Sequence, residues 1–362
     1  MRVRRPKLSG QGLLLIAVLV GGVFSGVALL ATNFQIWEVT SGNYARAMWP
    51  TFGSATSPQI GWNLNFTGSP ANVVDNGSGV APQTVLADAF ATWASATYRG
   101  LAVTNLAFAR GASEASLPQA PAVDCQNVIG FADPHAGDFP TGVIAFAQIA
   151  TVNSNGDTVP FSYTCGSITP NRTCPLDVCI IDADIMFNPA DTFATSRVTP
   201  GQFDLRSVAV HEIGHMIGLD HSGIAHAVMY PYGDTSLIGI HRTLWTDDVI
   251  GAGYLYPGPA VAAYGSGIEG YVNVDGVGVF AAHVEALDST TGDVVTDTLT
   301  DPSGNYRLRV FDGTYHVYVQ PLAPDYGFGP CSIRDFHGQA GYGGNDFGSI
   351  PPNPTNYTGR YY

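Results

Sequence analysis

The chain has 362 residues, of which 15 are lysine or arginine and 29 are aspartate or glutamate, so its formal charge is −14. This length and the 45% share of hydrophobic residues exclude a disulfide-stapled miniature protein, a disordered chain and a multi-span membrane protein. The acidic balance excludes a typical nucleic-acid binder, whose contact surface is basic, and we expect no nucleic acid among the partners.

The N-terminus joins a basic start to an uncharged apolar run. Three arginines and Lys7, the single lysine, precede residues 12–31 (GLLLIAVLVGGVFSGVALLA). This arrangement is typical of a secretory signal, and a run of this length also suits an uncleaved membrane anchor. Residues 1–32 are therefore predicted to be a signal peptide or a signal anchor, and both place the rest of the chain outside the cytoplasm.

The next segments are predicted from their hydrophobic periodicity. Residues 33–55 show no clear period and are predicted to be a linker. Alternating apolar and polar residues predict a strand at 59–66, and apolar residues at helical spacing predict an amphipathic helix over 84–98. Further strands are predicted at 106–109, 143–149 and 178–187.

Two more helices are predicted from their end signals. Asp204 is an N-cap residue type that precedes an apolar-periodic run, and Gly218 stands where that helix would stop. The last helix is predicted over 245–256, with Asp247 and Asp248 in its first turn, where acidic residues favour the helix dipole.

The cysteines are informative because the chain is predicted to be exported. Cys125, Cys165, Cys174 and Cys179 lie within 55 residues of the sequence, whereas Cys331 stands apart. Outside the cytoplasm such a cluster favours two disulfides, with three possible pairings. A cysteine zinc site is disfavoured because the spacing matches no common zinc module.

The C-terminal third changes in style. A Gly-, Ala- and Pro-rich stretch over 257–267 predicts a domain boundary. Short β-rich runs with Gly-containing turns follow, which predicts a small antiparallel sandwich over 266–322. Residues 323–362 form a tail rich in Gly, Pro and Tyr, in which no period is recognisable.

The segment HEIGHMIGLDH at 211–221 contains the residues suited to chemistry. His211 and His215 are four residues apart and share one face of a helix, so both imidazoles reach one ion. A glycine then permits a sharp turn that brings His221 to the same ion. Three imidazoles leave the fourth position of Zn²⁺ to water, and Glu212 is placed to accept its proton. The sequence thus predicts one catalytic zinc ion with Glu212 as the catalytic base.

This extended motif resembles that of the metzincin metalloproteases, and the serine after the third histidine resembles the matrixins among them. VMYP at 228–231 resembles their Met-turn, which assigns Met229 to support of the metal site. The resemblance covers residues 56–257 and implies an α+β domain with a twisted, mostly parallel sheet and three helices. It also implies a substrate cleft lined by Ile144, Ala145, Pro231 and Tyr232.

The resemblance raises two further expectations about metals. Phe146 stands where animal matrixins place a histidine for a second zinc ion, so we expect that second site to be missing. Calcium is common among matrixins, and this chain offers five aspartates that suit turns equally well: Asp133, Asp138, Asp157, Asp182 and Asp184.

The C-terminal segment resembles another family. IEGYV, VEALD and TDPSGNY, which all lie within residues 268–322, resemble turns and strands of carboxypeptidase-regulatory-like sandwich domains. That resemblance implies an accessory module without catalytic residues.

The leading hypothesis is a secreted, monomeric zinc-dependent endopeptidase that acts on proteins or peptides. If the N-terminal segment stays uncleaved, the same catalytic domain is anchored to a membrane and faces away from the cytoplasm. Two alternatives stay open: a surface binding protein with a degenerate protease fold, and a zinc hydrolase of non-peptide bonds.

Overall fold

The computed structural model describes residues 14–16, 36–40, 43–50, 59–117, 123–132, 139, 142–163, 172–231, 240–259, 267–280, 282–301, 303–321 and 360–361. Among these residues, no helix has the length and apolar character that crossing a bilayer requires. Within the apolar run at 12–31, only Leu14–Ile16 is described, as a short strand. The signal or anchor therefore stays a prediction, and nearly all of the predicted tail lies outside the described residues.

The described helices are α1 (Pro82–Ala94), α2 (Leu205–Met216) and α3 (Thr246–Leu255), with a 3₁₀ turn at Ile240–Arg242. The strands that precede α2 are β1 (Leu14–Ile16), β2 (Ile36–Thr40), β3 (Asn43–Arg46), β4 (Gln59–Leu64), β5 (Val73–Val74), β6 (Thr97–Tyr98), β7 (Leu101–Ala102), β8 (Ala107–Ser113), β9 (Val128–Gly130), β10 (Ala145–Asn153), β11 (Phe161–Tyr163), β12 (Arg172–Cys174), β13 (Val178–Phe187), β14 (Phe193–Ala194) and β15 (Phe203–Asp204). The strands that follow α3 are β16 (Ile268–Val274), β17 (Val277–Gly278), β18 (His283–Asp288), β19 (Val294–Leu299), β20 (Asn305–Leu308), β21 (Tyr315–Gln320) and β22 (Arg360–Tyr361).

A five-stranded sheet with the order β10-β13-β9-β4-β8 organises the first half of the chain. Strands β13, β9, β4 and β8 run parallel to one another, and β10 runs antiparallel to β13 at the edge. The mostly parallel sheet and the three described helices confirm the predicted α+β fold class for this half. The run at 178–187 forms β13 with the predicted bounds, and every one of its residues is buried. A strand that is covered on both faces is apolar nearly throughout, which is why its bounds are visible in the sequence.

Helices α1 and α2 form the layer that packs against this sheet. Helix α1 starts with Pro82 because proline at the first helical position loses no intrahelical hydrogen bond. Its buried side chains recur at helical spacing, as predicted, and Trp93 donates its indole N–H to the Val210 carbonyl of α2 at 2.8 Å. This hydrogen bond crosses the helix pair inside the main core.

The segment predicted as a linker, residues 33–55, instead packs against the folded domain where it is described. Strands β2 and β3 form a hairpin, and Ala47 and Trp49 then enter the main core. The Trp49 indole donates to the Met216 carbonyl at 2.7 Å, and the Trp49 backbone N–H donates to the Tyr256 hydroxyl at 3.0 Å. The sequence did not predict these contacts, because the burial of these residues depends on groups far away in sequence.

The C-terminal strands form two sheets over a separate apolar core. One sheet pairs β16 with β1, β17 and β20, and the other has the order β19-β18-β21-β22. Both contribute to one cluster of buried side chains: Val272, Val279, Ala282, Val284, Ala286, Tyr306, Leu308, Val310, Val317 and Val319. Residues 267–321, with their gaps, are called the C-terminal unit below.

Cys174 and Cys179 form a disulfide, one of the pairings that the sequence allowed. Cys125 is disulfide-bonded as well. The Cys174–Cys179 link ties β12 to the start of β13, and thus braces the strand beside the sheet edge.

Candidate metal centre and active site

Helix α2 presents the first two histidines of the motif. It starts where predicted, because the Asp204 carboxylate accepts the Arg206 backbone N–H at 3.0 Å and thereby caps the first turn. His211 and His215 then lie one turn apart on the same face.

The end of α2 directs the chain back toward those two histidines. Gly218 has a φ of +96°, a conformation that side-chain-bearing residues rarely adopt. Its N–H donates to the His215 carbonyl at 2.8 Å, and the Leu219 N–H donates to the Gly214 carbonyl at 3.0 Å. This pair of bonds is the Schellman pattern of a helix C-terminus. The turn places His221 opposite the helix face.

The three imidazoles converge on one point. The Nε2 atom of His215 lies 3.1 Å from the Nε2 atoms of both His211 and His221. The Nδ1 atom of His211 faces the Val228 carbonyl at 2.7 Å, and that of His215 faces the Leu219 carbonyl at 2.9 Å. Because a carbonyl oxygen only accepts, these Nδ1 atoms carry the protons and the Nε2 lone pairs point inward.

This geometry fits a tetrahedral metal ion. Zinc–nitrogen bonds of about 2.0–2.1 Å at tetrahedral angles separate two ligand nitrogens by about 3.3 Å. Burial lowers the pKa of His211 to about 3 and that of His215 to about 4, so both rings are neutral at pH 7. Neutral imidazoles with convergent lone pairs are the donor set that zinc requires.

Glu212 lies beside this centre with one carboxylate oxygen held and one free. Its side chain accepts a hydrogen bond from the Ala147 backbone N–H of the edge strand β10. Its Oε2 atom is buried and has no protein partner. Burial raises the pKa of Glu212 to about 8, because the dry environment disfavours the charged carboxylate. A buried acceptor of this kind suits proton transfer.

Met229 packs against the histidine-bearing helix α2. The Sδ atom of Met229 lies against Gly214 so closely that a Cβ atom at that glycine would overlap it. The Asp248 carboxylate accepts the backbone N–H of Val228 at 2.9 Å and that of Met229 at 3.1 Å. It also accepts the Trp245 N–H at 2.7 Å. The first turn of α3 therefore fixes residues 228–231, called the Met229 segment below.

The residues predicted to line a substrate cleft are only partly described. Ala145 begins the edge strand β10, whose Ala147 contacts Glu212, and Ile144 directly precedes it; both are half-buried. Pro231 is half-buried at the end of the Met229 segment, and Tyr232 lies outside the described residues. Their contact with substrate stays a prediction.

The calcium prediction is not supported by a second cluster in the described residues. There, the three histidines are the one group of three or more His, Cys, Asp or Glu side chains whose ligand atoms converge. Asp182 accepts the backbone N–H groups of Asp124 and Cys125, and Asp184 accepts that of Val128. Asp133 and Asp138 lie outside the described residues, and calcium stays a prediction.

Two functional contacts had no complete signal in the sequence. Asp248 was predicted only as an acid in the first helical turn, although its carboxylate also anchors the Met229 segment. The donor to Glu212 is the backbone of Ala147, and a backbone N–H leaves no trace in residue type.

A family model matches the part of the chain that contains this centre, and individual known proteins match shorter stretches of the chain. Residues 78–257 match the Matrixin family, peptidase M10. The chain is 36% identical over 105 residues to Metalloendoproteinase 2-MMP of Arabidopsis thaliana, which covers 28% of this chain and 26% of that protein. It is 44% identical over 79 residues to Metalloendoproteinase 1 of Glycine max, which covers 22% and 25%.

A vertebrate protein matches over a shorter segment. Macrophage metalloelastase of Oryctolagus cuniculus is 51% identical over 53 residues, which covers 14% of this chain and 11% of that protein. The chain thus spans about a quarter of the length of the two plant relatives, 26% and 25%. The family match and these relatives agree with the histidine geometry, and residues 78–257 are similar to a matrixin domain.

Proposed function

We propose that the chain is a zinc-dependent endopeptidase that hydrolyses peptide bonds in proteins or peptides. One observation carries the proposal: three inward-facing Nε2 atoms lie beside a buried carboxylate that has one free oxygen. The matrixin family match and the metalloendoproteinase relatives support the same activity.

His211, His215 and His221 would hold the zinc ion. When bound, zinc supplies Lewis-acid polarisation of the attacking water and of the peptide carbonyl. Glu212 orients that water and takes its proton at Oε2, then delivers the proton to the leaving amine. The Ala147 N–H holds the other carboxylate oxygen and thereby fixes the direction of the base.

The edge strand β10 would orient the substrate. Among the described strands it pairs with β13 on one side only, so its other side, apart from the Ala147 N–H, has backbone groups with which an extended peptide could pair. Because Ala147 of this strand also contacts Glu212, a peptide paired with β10 is held close to the base.

The experiment compares the full chain with Glu212→Gln and with a matched control, Glu114→Gln, which removes an exposed carboxylate. Casein cleavage sites are read by mass spectrometry, and zinc is counted per chain. We expect Glu212→Gln to lose about 10²- to 10⁴-fold in kcat, the usual contribution of a general base, while zinc binding persists. The control should match the wild type. Undiminished cleavage by Glu212→Gln, or a chain that binds no zinc, contradicts the proposal.

We further propose that residues 266–322 are a carboxypeptidase-regulatory-like β-sandwich and that the chain is secreted or anchored outside the cytoplasm. The two sheets with a common apolar core support the first proposal. The basic start and apolar run of residues 1–32, together with a disulfide, support the second. N-terminal sequencing of the mature protein tests the export prediction, and an uncleaved intracellular chain contradicts it.

A further inference from the structure

The loop that follows His221 contacts the C-terminal unit through a buried carboxylate. Asp297 of β19 accepts the Gly223 backbone N–H at 2.8 Å on Oδ2 and the Ser222 hydroxyl at 3.4 Å on Oδ1. Its Oδ2 atom also lies 2.6 Å from the Nε2 atom of His283 on the neighbouring strand β18. The Asp297 and His283 side chains are each only 3% exposed. The contact is therefore dry and its hydrogen bonds are charge-assisted.

Tight packing surrounds these hydrogen bonds. A Cβ atom at Gly223 would lie 2.5 Å from both the Asp297 Oδ2 atom and the His283 Nε2 atom. Glycine is therefore required at this position by the close approach of the pair. The loop has no room to move toward the C-terminal unit, and it loses two hydrogen bonds if it moves away.

The same loop is fixed to the Met229 segment. The Ser222 N–H donates to the Met229 carbonyl at 2.8 Å, and Asp248 of α3 accepts the Met229 N–H. The carboxylate of Asp247, the residue before Asp248, accepts the Thr296 hydroxyl of β19 at 2.7 Å. Helix α3 and strand β19 thus hold the loop from two sides.

The C-terminal unit is docked firmly enough to act as a support. Phe311 stacks on Tyr98 with a centroid distance of 3.6 Å and is buried against residues 59–257, called the catalytic half here. The Trp245 indole donates to the Val294 carbonyl of β19 at 2.9 Å, and Arg309 donates to the Tyr254 hydroxyl at 2.7 Å. These contacts surround α3, so the unit and the catalytic half share one interface.

We infer that Asp297, oriented by His283, is a positioning residue that fixes the Ser222–Gly223 loop and thereby sets the place of His221 in the metal centre. The inference rests on the proposed zinc function. It gives the C-terminal unit a part in metal binding, because the third ligand is held by a side chain from outside residues 78–257.

The test uses the full chain and the variants Asp297→Ala, Asp297→Asn and Asp293→Ala. Asp293 precedes the same strand and is exposed, so its removal controls for loss of a carboxylate in this region. Zinc affinity is measured by chelator competition. The visible spectrum of the cobalt-substituted protein reports the ligand geometry, and urea unfolding of the metal-free form reports the fold.

We expect Asp297→Ala to weaken zinc binding by about 10- to 100-fold, as is usual for groups that orient a metal ligand, and to alter the cobalt spectrum. At saturating zinc its kcat falls while KM stays close to the wild-type value, because strand β10 is untouched. Asp297→Asn keeps an oxygen for the Gly223 N–H and should restore most of the zinc affinity. Asp293→Ala should match the wild type.

Wild-type zinc affinity and an unchanged cobalt spectrum in Asp297→Ala overturn the inference, even if the metal-free form unfolds more easily. If Asp297→Ala does not fold, Gly223→Ala decides, because its Cβ displaces the loop while every polar group remains. Unchanged zinc binding in Gly223→Ala then overturns the inference. A wild-type chain that binds zinc but cleaves no peptide contradicts only the proposed function.

Discussion

The turn at Gly218 provides the sharpest test of how the fold brings the third histidine to the metal centre. Gly218 has a φ of +96°, and a Cβ atom there would overlap the Ala47 carbonyl oxygen. Gly201 has a similar φ of +83° with no atom within 4 Å of its would-be Cβ. The two glycines therefore separate the cost of backbone conformation from the cost of close approach.

The expected free-energy changes follow from this difference. Alanine in the left-handed region costs about 1–2 kcal/mol, offset by about 0.4–1 kcal/mol from the stiffer unfolded chain, so Gly201→Ala should lose about 1 kcal/mol. Gly218→Ala meets a backbone carbonyl that cannot rotate away, and overpacking of this kind adds about 1–3 kcal/mol. Its total loss should therefore be about 2–4 kcal/mol.

Urea unfolding of the metal-free proteins measures both losses by linear extrapolation. Zinc affinity should also fall in Gly218→Ala, because the displaced turn carries His221, and it should be unchanged in Gly201→Ala. Equal losses of stability in the two variants would refute the reasoning, since they would show that the Ala47 carbonyl imposes no constraint.

Two further predictions concern pH and the disulfide. Burial raises the pKa of Asp182 to about 6, so its folded state holds a proton more tightly than the unfolded chain and stability falls as pH rises from about 4 to about 6. Asp182→Asn keeps an acceptor for the Asp124 and Cys125 N–H groups and should flatten this decline. Thermal melts at intervals between pH 4 and pH 8 measure it, and parallel curves for both proteins contradict it. The Cys174→Ser, Cys179→Ser double variant removes a link between cysteines five residues apart. Because the disulfide closes only a short loop, the free energy of unfolding should fall by about 2 kcal/mol. An unchanged urea midpoint would count against that loss.

Local patterns in the sequence were sufficient for the elements that carry the site. Helix α2 starts at the predicted cap and stops at the predicted glycine, because both signals act through hydrogen bonds within a few residues. Strand β13 has its predicted bounds because a fully buried strand is apolar nearly throughout. The spacing of the three histidines likewise predicted that their side chains meet, since one helix and one turn determine it.

Only the tertiary structure decided which distant groups complete the site. Trp49 lies in the segment predicted to be a linker, residues 33–55, yet its indole donates to a carbonyl 167 residues away. The sequence predicts Asp297 only as a strand residue of an accessory unit, yet its carboxylate accepts a hydrogen bond from the loop after His221. Hydrophobic periodicity records which face of an element is buried, but it does not record the partner. Backbone donors such as the Ala147 N–H are common to nearly all residue types, so the contacts that orient Glu212 and His221 are visible only when the chain is folded.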